Sequence, residues 1–312
     1  MGPINVYLAE GNELTLVDTG PHDPPTLEAL RAALAERGFA FKDIQRIIVT
    51  HAHIDHFGLA AQIVSESGAY VLSHERNRWW LTDFENESSR RGDFYREIFQ
   101  KSGAPIESTQ AAAQGMRWML KYGRSVPSGK FVPIDDGHGI KLGDDEWRVI
   151  FAPGHASGLI CLHHPAEQVL ISSDHVLRDI TSNPVLEPPA HNETERPKSL
   201  VNYVNSMKRT ADMGLRVALP AHGEPVYDVR VLIDARLTFH RERLDHIASQ
   251  LECCAQTPYE ICNILFPHLK SFDTFLGLSE VIGHLDVLEQ EGRVRREDGT
   301  DGVWRYLPTQ SG

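Results

Sequence analysis

The chain has 312 residues, of which 41% are hydrophobic and 24% charged, and its formal net charge at pH 7 is −12. This composition is ordinary for a soluble globular protein, and the length favours about two domains. The acidic charge disfavours general nucleic-acid binding, which depends on basic surface. Because no apolar run reaches the roughly 18 residues of a transmembrane helix and the first residues lack signal-peptide features, we expect a cytoplasmic protein without a membrane partner.

The first two-thirds of the chain alternates between amphipathic segments and short apolar ones. Helical periodicity predicts one helix over residues 26–37 and a second from His56 to about Gly68. Strand patterns occur in eight segments: INVYLAE, ELTLVDTG, IQRIIVTH, AYVLSHE, WRVIFAPGH, GLICLHHP, VLISSDHV and RVALPAHG. The mixture predicts a layered α/β domain over residues 1–228.

Two later regions depart from this rhythm. Residues 76–130 have no strand pattern, eight aromatic residues, and ten arginines or lysines against six acidic residues, which predicts a basic helical insertion. Residues 229–312 read as one long helix, two shorter helices and a hairpin that turns at residues 299–302, which is a winged-helix-like order. Because this second domain has nine basic against thirteen acidic residues, we expect it to serve packing or dimerisation, and DNA binding is disfavoured.

The segment IIVTHAHIDHFG, residues 47–58, places three histidines and an aspartate directly after a predicted strand. Alternate side chains of an extended chain share a face, so His51 and His53 can reach one metal ion together. Asp55 continues on that side, and His56 stands where a helix begins and can turn toward a second ion. Such groups are costly to bury unless something satisfies them, and a metal ion does so.

Three later strands end in the same way. VIFAPGH delivers His155, VLISSD delivers Asp174 and RVALPAH delivers His222. Ligands of open α/β sheets are held at strand ends, so we expect these side chains to converge on the first group. Five histidines and two aspartates suffice for two ions with an open position for water, which marks a catalytic site. Asp174 is the natural shared ligand.

The motifs THAHIDH, PGH, SSDH and PAHG, in this order, resemble those of the metallo-β-lactamase-fold hydrolases. The resemblance covers roughly residues 4–226 and implies a four-layer αββα sandwich. It implies that Asp18, in the early LVDTG motif, braces the metal loop without binding metal. It assigns one metal to His51, His53 and His155, the other to Asp55, His56 and His222, and the bridging position to Asp174.

The C-terminal region, which begins with ARLTFHRERLDHI, resembles a subgroup of this family that carries a C-terminal winged-helix-like domain. That subgroup includes the single-strand endoribonuclease β-lactamase-like protein 2 and many bacterial hydrolases. The resemblance therefore implies a metal-dependent hydrolase and leaves the substrate open. RNA is a possible partner that the acidic charge disfavours.

The predicted cofactors are two divalent metal ions, zinc by default, with iron or manganese also compatible with these ligands. Such ions lower the pKa of bound water from 15.7 to about 7 and yield a hydroxide nucleophile. We predict hydrolysis of an ester, thioester or lactone of a small, anionic substrate, with Asp55 as the catalytic residue that orients the hydroxide or carries a proton. The alternative is a phosphodiesterase or single-strand endoribonuclease. A di-iron redox protein is less favoured, because redox relatives usually have an acid where His53 stands.

The composition of the insertion carries one further prediction. We expect residues 76–130 to fold over the metal centre as a helical lid, with Arg117 or Arg124 pairing with an anionic substrate group. Aromatic residues and arginines are also enriched at protein interfaces, so a homodimer interface is the rival interpretation.

Overall fold

The computed structural model describes residues 3–269 and 273–309. Within these ranges, two five-stranded sheets form the centre of the first domain. In the first sheet the strands follow chain order, with β1 antiparallel to β2 and the remaining pairs parallel. Its strands are β1 (Tyr7–Ala9), β2 (Thr15–Val17), β3 (Arg46–Ile48), β4 (Tyr70–Ser73) and β5 (Phe131–Pro133).

The second sheet has the order β10-β9-β8-β7-β6, in which β10 runs parallel to β9 and the other neighbours are antiparallel. Its strands are β6 (Gly139–Leu142), β7 (Asp145–Phe151), β8 (Ile160–His164), β9 (Val169–Ser173) and β10 (Val217–Pro220). The helices of this domain outside the insertion are α1 (Pro24–Glu36), α2 (Ile54–Phe57), α3 (Ala60–Ser67) and α7 (Ser199–Ala211).

The apolar faces of the sheets and helices determine how the layers of the first domain pack. Residues such as Ile48 of the first sheet and Leu162 of the second share one buried cluster, so the sheets pack face to face. Ile63 of α3 packs with Ile47 on the outer face of the first sheet, and α7 packs against the second sheet beside Ala218. The predicted αββα sandwich is therefore confirmed.

Two details of the sequence prediction need correction. The strands β5 and β6 were not predicted, because β5 has only three residues with two of them exposed, and β6 is a short strand flanked by glycine. The second predicted helix starts two residues earlier, at Ile54, and is interrupted between Phe57 and Ala60. The interruption places His56 in a separate short helix beside the first sheet.

The insertion is helical, as predicted. It contains a 3₁₀ turn (Glu75–Asn77), α4 (Arg78–Thr82), α5 (Phe84–Lys101) and α6 (Ile106–Met119), and no strand lies within residues 76–130, all of which are described. Phe84 packs into the core of the first sheet. Phe99 and Ala112 instead share a cluster with the C-terminal helices, so the insertion connects the two parts of the molecule.

The C-terminal region has the predicted order of elements: α8 (Val229–Leu251), α9 (Pro258–Leu265), α10 (Thr274–Gln290), β11 (Val294–Asp298) and β12 (Trp304–Pro308). Leu244 and Leu251 of α8 are buried against α10 and the hairpin. A capping box between Thr257 and Glu260 starts α9. None of the described helices is both long and apolar enough to cross a bilayer.

A buried pair of histidines joins α8 to α10. His240 Nδ1 lies 3.3 Å from His284 Nε2, and His284 Nδ1 donates to the Glu280 carbonyl at 2.7 Å. Burial, together with Arg243, lowers the pKa of His240 to about 4. Burial and the neighbouring His240 lower the pKa of His284 to about 3, although its bond to Glu280 opposes this. Both rings are therefore neutral at pH 7.

This pair predicts a loss of stability in acid. Between pH 6.5 and about 4 the unfolded chain binds a proton at His240 that the folded chain does not bind. The free energy of unfolding therefore decreases as the pH is lowered. The loss for His240 amounts to about 3 kcal/mol at pH 4. Chemical denaturation of His240→Gln between pH 7 and 4 should therefore show a shallower pH dependence than wild type.

Burial raises the pKa of Glu280, which acts in the opposite direction, so only the difference between variant and wild type is diagnostic. His246→Gln, at an exposed position of the same helix, is the matched control and should keep the wild-type slope. A His240→Gln variant with an unchanged slope would contradict the prediction.

Candidate metal centre

Loops at the ends of four strands bring all seven predicted side chains together. His51 and His53 follow β3, and α2 carries Asp55 and His56. The remaining three, which follow β7, β9 and β10, are His155, Asp174 and His222. Their ligating atoms form two groups, each within 4.8 Å: the first is His51, His53 and His155, and the second is Asp55, His56 and His222. Asp174 forms a further set of the same size with His51 and His56, one member of each group.

The first group consists of imidazoles. His53 Nδ1 lies 3.0 Å from His51 Nε2 and 2.9 Å from His155 Nε2, close to the spacing of nitrogens that share one tetrahedral ion. Burial and the neighbouring histidines lower the pKa of His51 well below its usual value and that of His53 to about 3. Both rings are therefore neutral at pH 7, as ligation requires.

The second group contains a carboxylate. Asp55 Oδ2 lies 3.3 Å from His222 Nε2 and 4.0 Å from His56 Nε2. Burial alone would raise the pKa of Asp55, but His56 and His222 hold it below its usual range. The side chains of Asp55 and His222 are 19% and 21% exposed, so solvent reaches this group.

Asp174 lies between the two groups. Its Oδ2 is 3.4 Å from His155 Nε2 and 3.6 Å from His56 Nε2, and its Oδ1 is 3.7 Å from His222 Nε2. Despite burial, the nearby His56 holds the pKa of Asp174 at about 2, so its carboxylate is ionised at pH 7. This is the position that a shared ligand would occupy.

Two buried polar atoms of the cluster test whether a metal fits. His56 Nε2 and Asp174 Oδ1 have no hydrogen-bond partner among the described residues, although buried polar atoms are nearly always paired. Both atoms face the other members of the cluster. A divalent cation would satisfy them, and the nitrogen and oxygen donors suit such an ion.

The outer nitrogen of three ligand rings is fixed by a second contact. His155 Nδ1 donates to the Asn183 carbonyl and His222 Nδ1 to the Pro3 carbonyl, each at 2.8 Å. His56 Nδ1 lies 2.8 Å from Asp18 Oδ2. Each contact turns Nε2 toward the cluster, the usual arrangement around histidine ligands.

Asp18 has the bracing position that the resemblance implied. Besides His56, its carboxylate accepts hydrogen bonds from Thr50 N and Thr50 Oγ1, both at 2.8 Å. Asp18 has a φ of 61°, and Ser173, which bonds Thr50 Oγ1 at 2.7 Å, has a φ of 50°. Non-glycine residues in this left-handed region are held there by their surroundings. The carboxylate therefore orients His56 from behind.

Gly154 explains the glycine of the PGH motif. Its φ is 153°, and a Cβ atom would lie 2.4 Å from the Cα of Tyr203 in α7. Only glycine allows the loop to pass this close to α7, so the following His155 can enter the cluster.

Sequence reasoning missed several residues that support the cluster. Asn183 and Pro3 act through backbone carbonyls, for which no side-chain pattern exists. Glu187 accepts hydrogen bonds from Ser157 N and Oγ, two residues beyond His155. It follows no predicted strand, so the rule that found the other residues did not apply to it.

The predicted role of the insertion is not tested by these contacts. Arg124 donates to the carbonyls of Lys121 and Gly123, and Arg117 lines a cavity of about 360 Å³ between α5 and α6. Arg91 of α5 instead reaches Glu187 beside the cluster, at 3.4 Å. The lid and the dimer interface both stay predictions.

Comparison with known proteins identifies the family. The family profile described as Metallo-beta-lactamase superfamily matches residues 1–222, and that described as Metallo-beta-lactamase-like, C-terminal domain matches residues 244–309. The chain is 32% identical to the probable metallo-hydrolase YqjP of Bacillus subtilis, over 93% of this chain and 89% of that protein. It is 29% identical to the human acyl-coenzyme A thioesterase MBLAC2, over 54% of this chain and 57% of that protein.

Two solved structures have the same fold as this protein over nearly the whole chain. The metallo-beta-lactamase family protein TTHA1429 from Thermus thermophilus superposes with a TM-score of 0.79 and 29% identity, covering 98% of this chain and 93% of that one. A beta-lactamase domain protein from Burkholderia ambifaria gives a TM-score of 0.81 with 26% identity, covering 98% and 88%. The chain is therefore a metallo-hydrolase that belongs to the metallo-β-lactamase superfamily.

Proposed function

We propose that this chain binds two zinc ions and hydrolyses a thioester or related acyl ester, including lactones, of a small anionic substrate. The observation that carries the proposal is the seven-residue cluster with its unsatisfied buried atoms, His56 Nε2 and Asp174 Oδ1. One ion would be held by His51, His53 and His155 and the other by Asp55, His56 and His222. Asp174 would contact both.

Bound divalent ions supply Lewis acidity and an activated water at neutral pH. The chain's own residues supply orientation and proton transfer. Asp55 is ionised at pH 7 and partly exposed, so its carboxylate can accept a proton from the attacking water and release it to solvent. Asp18 is buried behind His56 and cannot take this role.

The thioester is the favoured member of this substrate class for two reasons. A thiol has a pKa of about 8.5, so a thiolate leaves without prior protonation. The relative MBLAC2 is an acyl-coenzyme A thioesterase, although this chain aligns with only about half of that protein. The net charge of −12 disfavours RNA as the substrate.

The test is a substrate panel combined with metal analysis. The purified enzyme should contain about two zinc ions per chain by elemental analysis. Under one set of conditions it should hydrolyse an acyl-coenzyme A thioester faster than the matched oxyester or lactone. It should leave a phosphodiester and single-stranded RNA intact. Faster cleavage of the phosphodiester or the RNA would overturn the proposal.

A further inference from the structure

The segment 183–187 lies along the loop that carries His155. Asn183 O accepts a hydrogen bond from the His155 ring at 2.8 Å, and Val185 N donates to the His155 carbonyl at 3.2 Å. Glu187 then accepts from Ser157 N at 3.1 Å and from Ser157 Oγ at 2.5 Å. This segment therefore fixes His155 from its ring to the residue two positions beyond it.

Glu187 is the charged member of the segment, and it is only 5% exposed. Burial alone would raise the pKa of its carboxyl group, but Arg91, Ser157 and His53 together lower this pKa by more than burial raises it. The group is therefore ionised at pH 7. Arg91 lies 3.4 Å away and is itself held by Glu87 at 3.1 Å and by the ring of Trp80. The insertion thus holds a fixed negative charge beside the group of His51, His53 and His155.

The other end of this support comes from the C-terminal region. Leu186 N donates to Ser279 Oγ of α10 at 3.3 Å, and Asn183 Nδ2 donates to the Leu276 carbonyl at 3.0 Å. The Leu186 side chain is fully buried in the same cluster as α8 and α10. The segment is therefore anchored on both sides, by α5 and by α10.

We propose that Glu187 is a positioning residue for the metal centre. It locks the His155 loop through Ser157 and sets a negative charge near His53, so that the ion of His51, His53 and His155 is held in a defined geometry. This inference rests on the proposed metal sites but not on the proposed substrate. In this proposal the insertion and the C-terminal region together hold the segment 183–187 beside the cluster.

The test compares Glu187→Gln with wild type. Glutamine keeps the size of the side chain and can still accept from Ser157, but it removes the charge and leaves Arg91 with Glu87 as its carboxylate partner. We expect the affinity for one of the two ions to fall by about 10- to 100-fold, the usual effect of residues that orient a ligand. Chelator competition on the zinc-loaded enzyme measures this affinity without any substrate. The visible spectrum of the cobalt-substituted enzyme should change as well.

Three further variants make the result specific. Glu193→Gln, an exposed glutamate in the same loop that pairs with Arg76, removes the same charge and should leave both affinities unchanged. In a His222→Ala background we expect only the ion of His51, His53 and His155 to be retained. Adding Glu187→Gln should lower the affinity for that ion. If Glu187→Gln does not fold, Ser157→Ala keeps the carboxylate and should weaken the same ion to a smaller extent.

The outcomes separate the proposals. Wild-type affinity for both ions and an unchanged cobalt spectrum in Glu187→Gln would overturn the positioning role, and so would equal weakening of both ions. A wild-type enzyme that holds two ions but spares thioesters and esters would contradict the proposed substrate alone. A wild-type enzyme without metal would overturn both.

Discussion

Asp174→Asn should release both metal ions and reduce turnover to below about 1% of wild type. Asp174 lies within 3.7 Å of three histidines from both groups, so its charge acts on both sites. Two divalent cations at adjacent sites repel each other, and a shared carboxylate offsets this repulsion over a short distance. We therefore expect each affinity to fall by more than the 10- to 100-fold of residues that only orient a ligand.

Elemental analysis after gel filtration and turnover of the favoured thioester measure this prediction. Asp145→Asn is the matched control, because Asp145 is exposed at the start of β7, at the opposite end from His155. It should keep two ions and full activity. An Asp174→Asn enzyme that still carries two ions would remove Asp174 from the bridging role.

The second large effect is expected from Asp55→Ala and His222→Ala. Asp55 extends from the short helix α2 and His222 from the loop after β10 into a partly exposed site, so the core does not depend on them. We expect kcat to fall by about 10²- to 10⁴-fold, the range of a positioned proton-transfer group, and more where the second ion is lost as well. The thermal midpoint of the metal-free proteins should stay close to that of the wild type.

His138→Ala, at an exposed position before β6, is the control for removing an imidazole and should be fully active. Turnover and metal content must be measured on the same preparations, so that loss of an ion is separated from loss of proton transfer. Activity above a few per cent of wild type in both variants would mean that the second group is not catalytic.

The sequence was most informative where a strand ends. His51, His155, Asp174 and His222 all follow an apolar run, and the ends of neighbouring strands meet at one edge, so convergence could be predicted without the structure. It was least informative where a backbone group orients a ligand, as the Asn183 and Pro3 carbonyls do for His155 and His222. Glu187 escaped prediction because its loop forms contacts across more than 90 residues, with Arg91 on one side and Ser279 on the other.

The insertion shows the same limit within a single element. Its composition predicted helices, and helices are present, but composition does not distinguish one arginine from another. The position of an arginine along the helix determines which partner it reaches. Positions 87, 91 and 95 of α5 lie on one face, and this face brings Arg91 to Glu187. The lid prediction named Arg117 and Arg124 instead, and their contact with a substrate remains to be tested.

The hydrogen bond from His222 to the Pro3 carbonyl links residues 3–5 to one of the proposed metal ligands. Asn5 strengthens this docking, since its backbone N–H donates to the Ala221 carbonyl at 2.7 Å. An ion held by His222 would therefore stabilise the attachment of residues 3–5, and by reciprocity detachment of these residues would weaken the binding of that ion. We expect hydrogen exchange at Asn5 to report metal loading from outside the cluster.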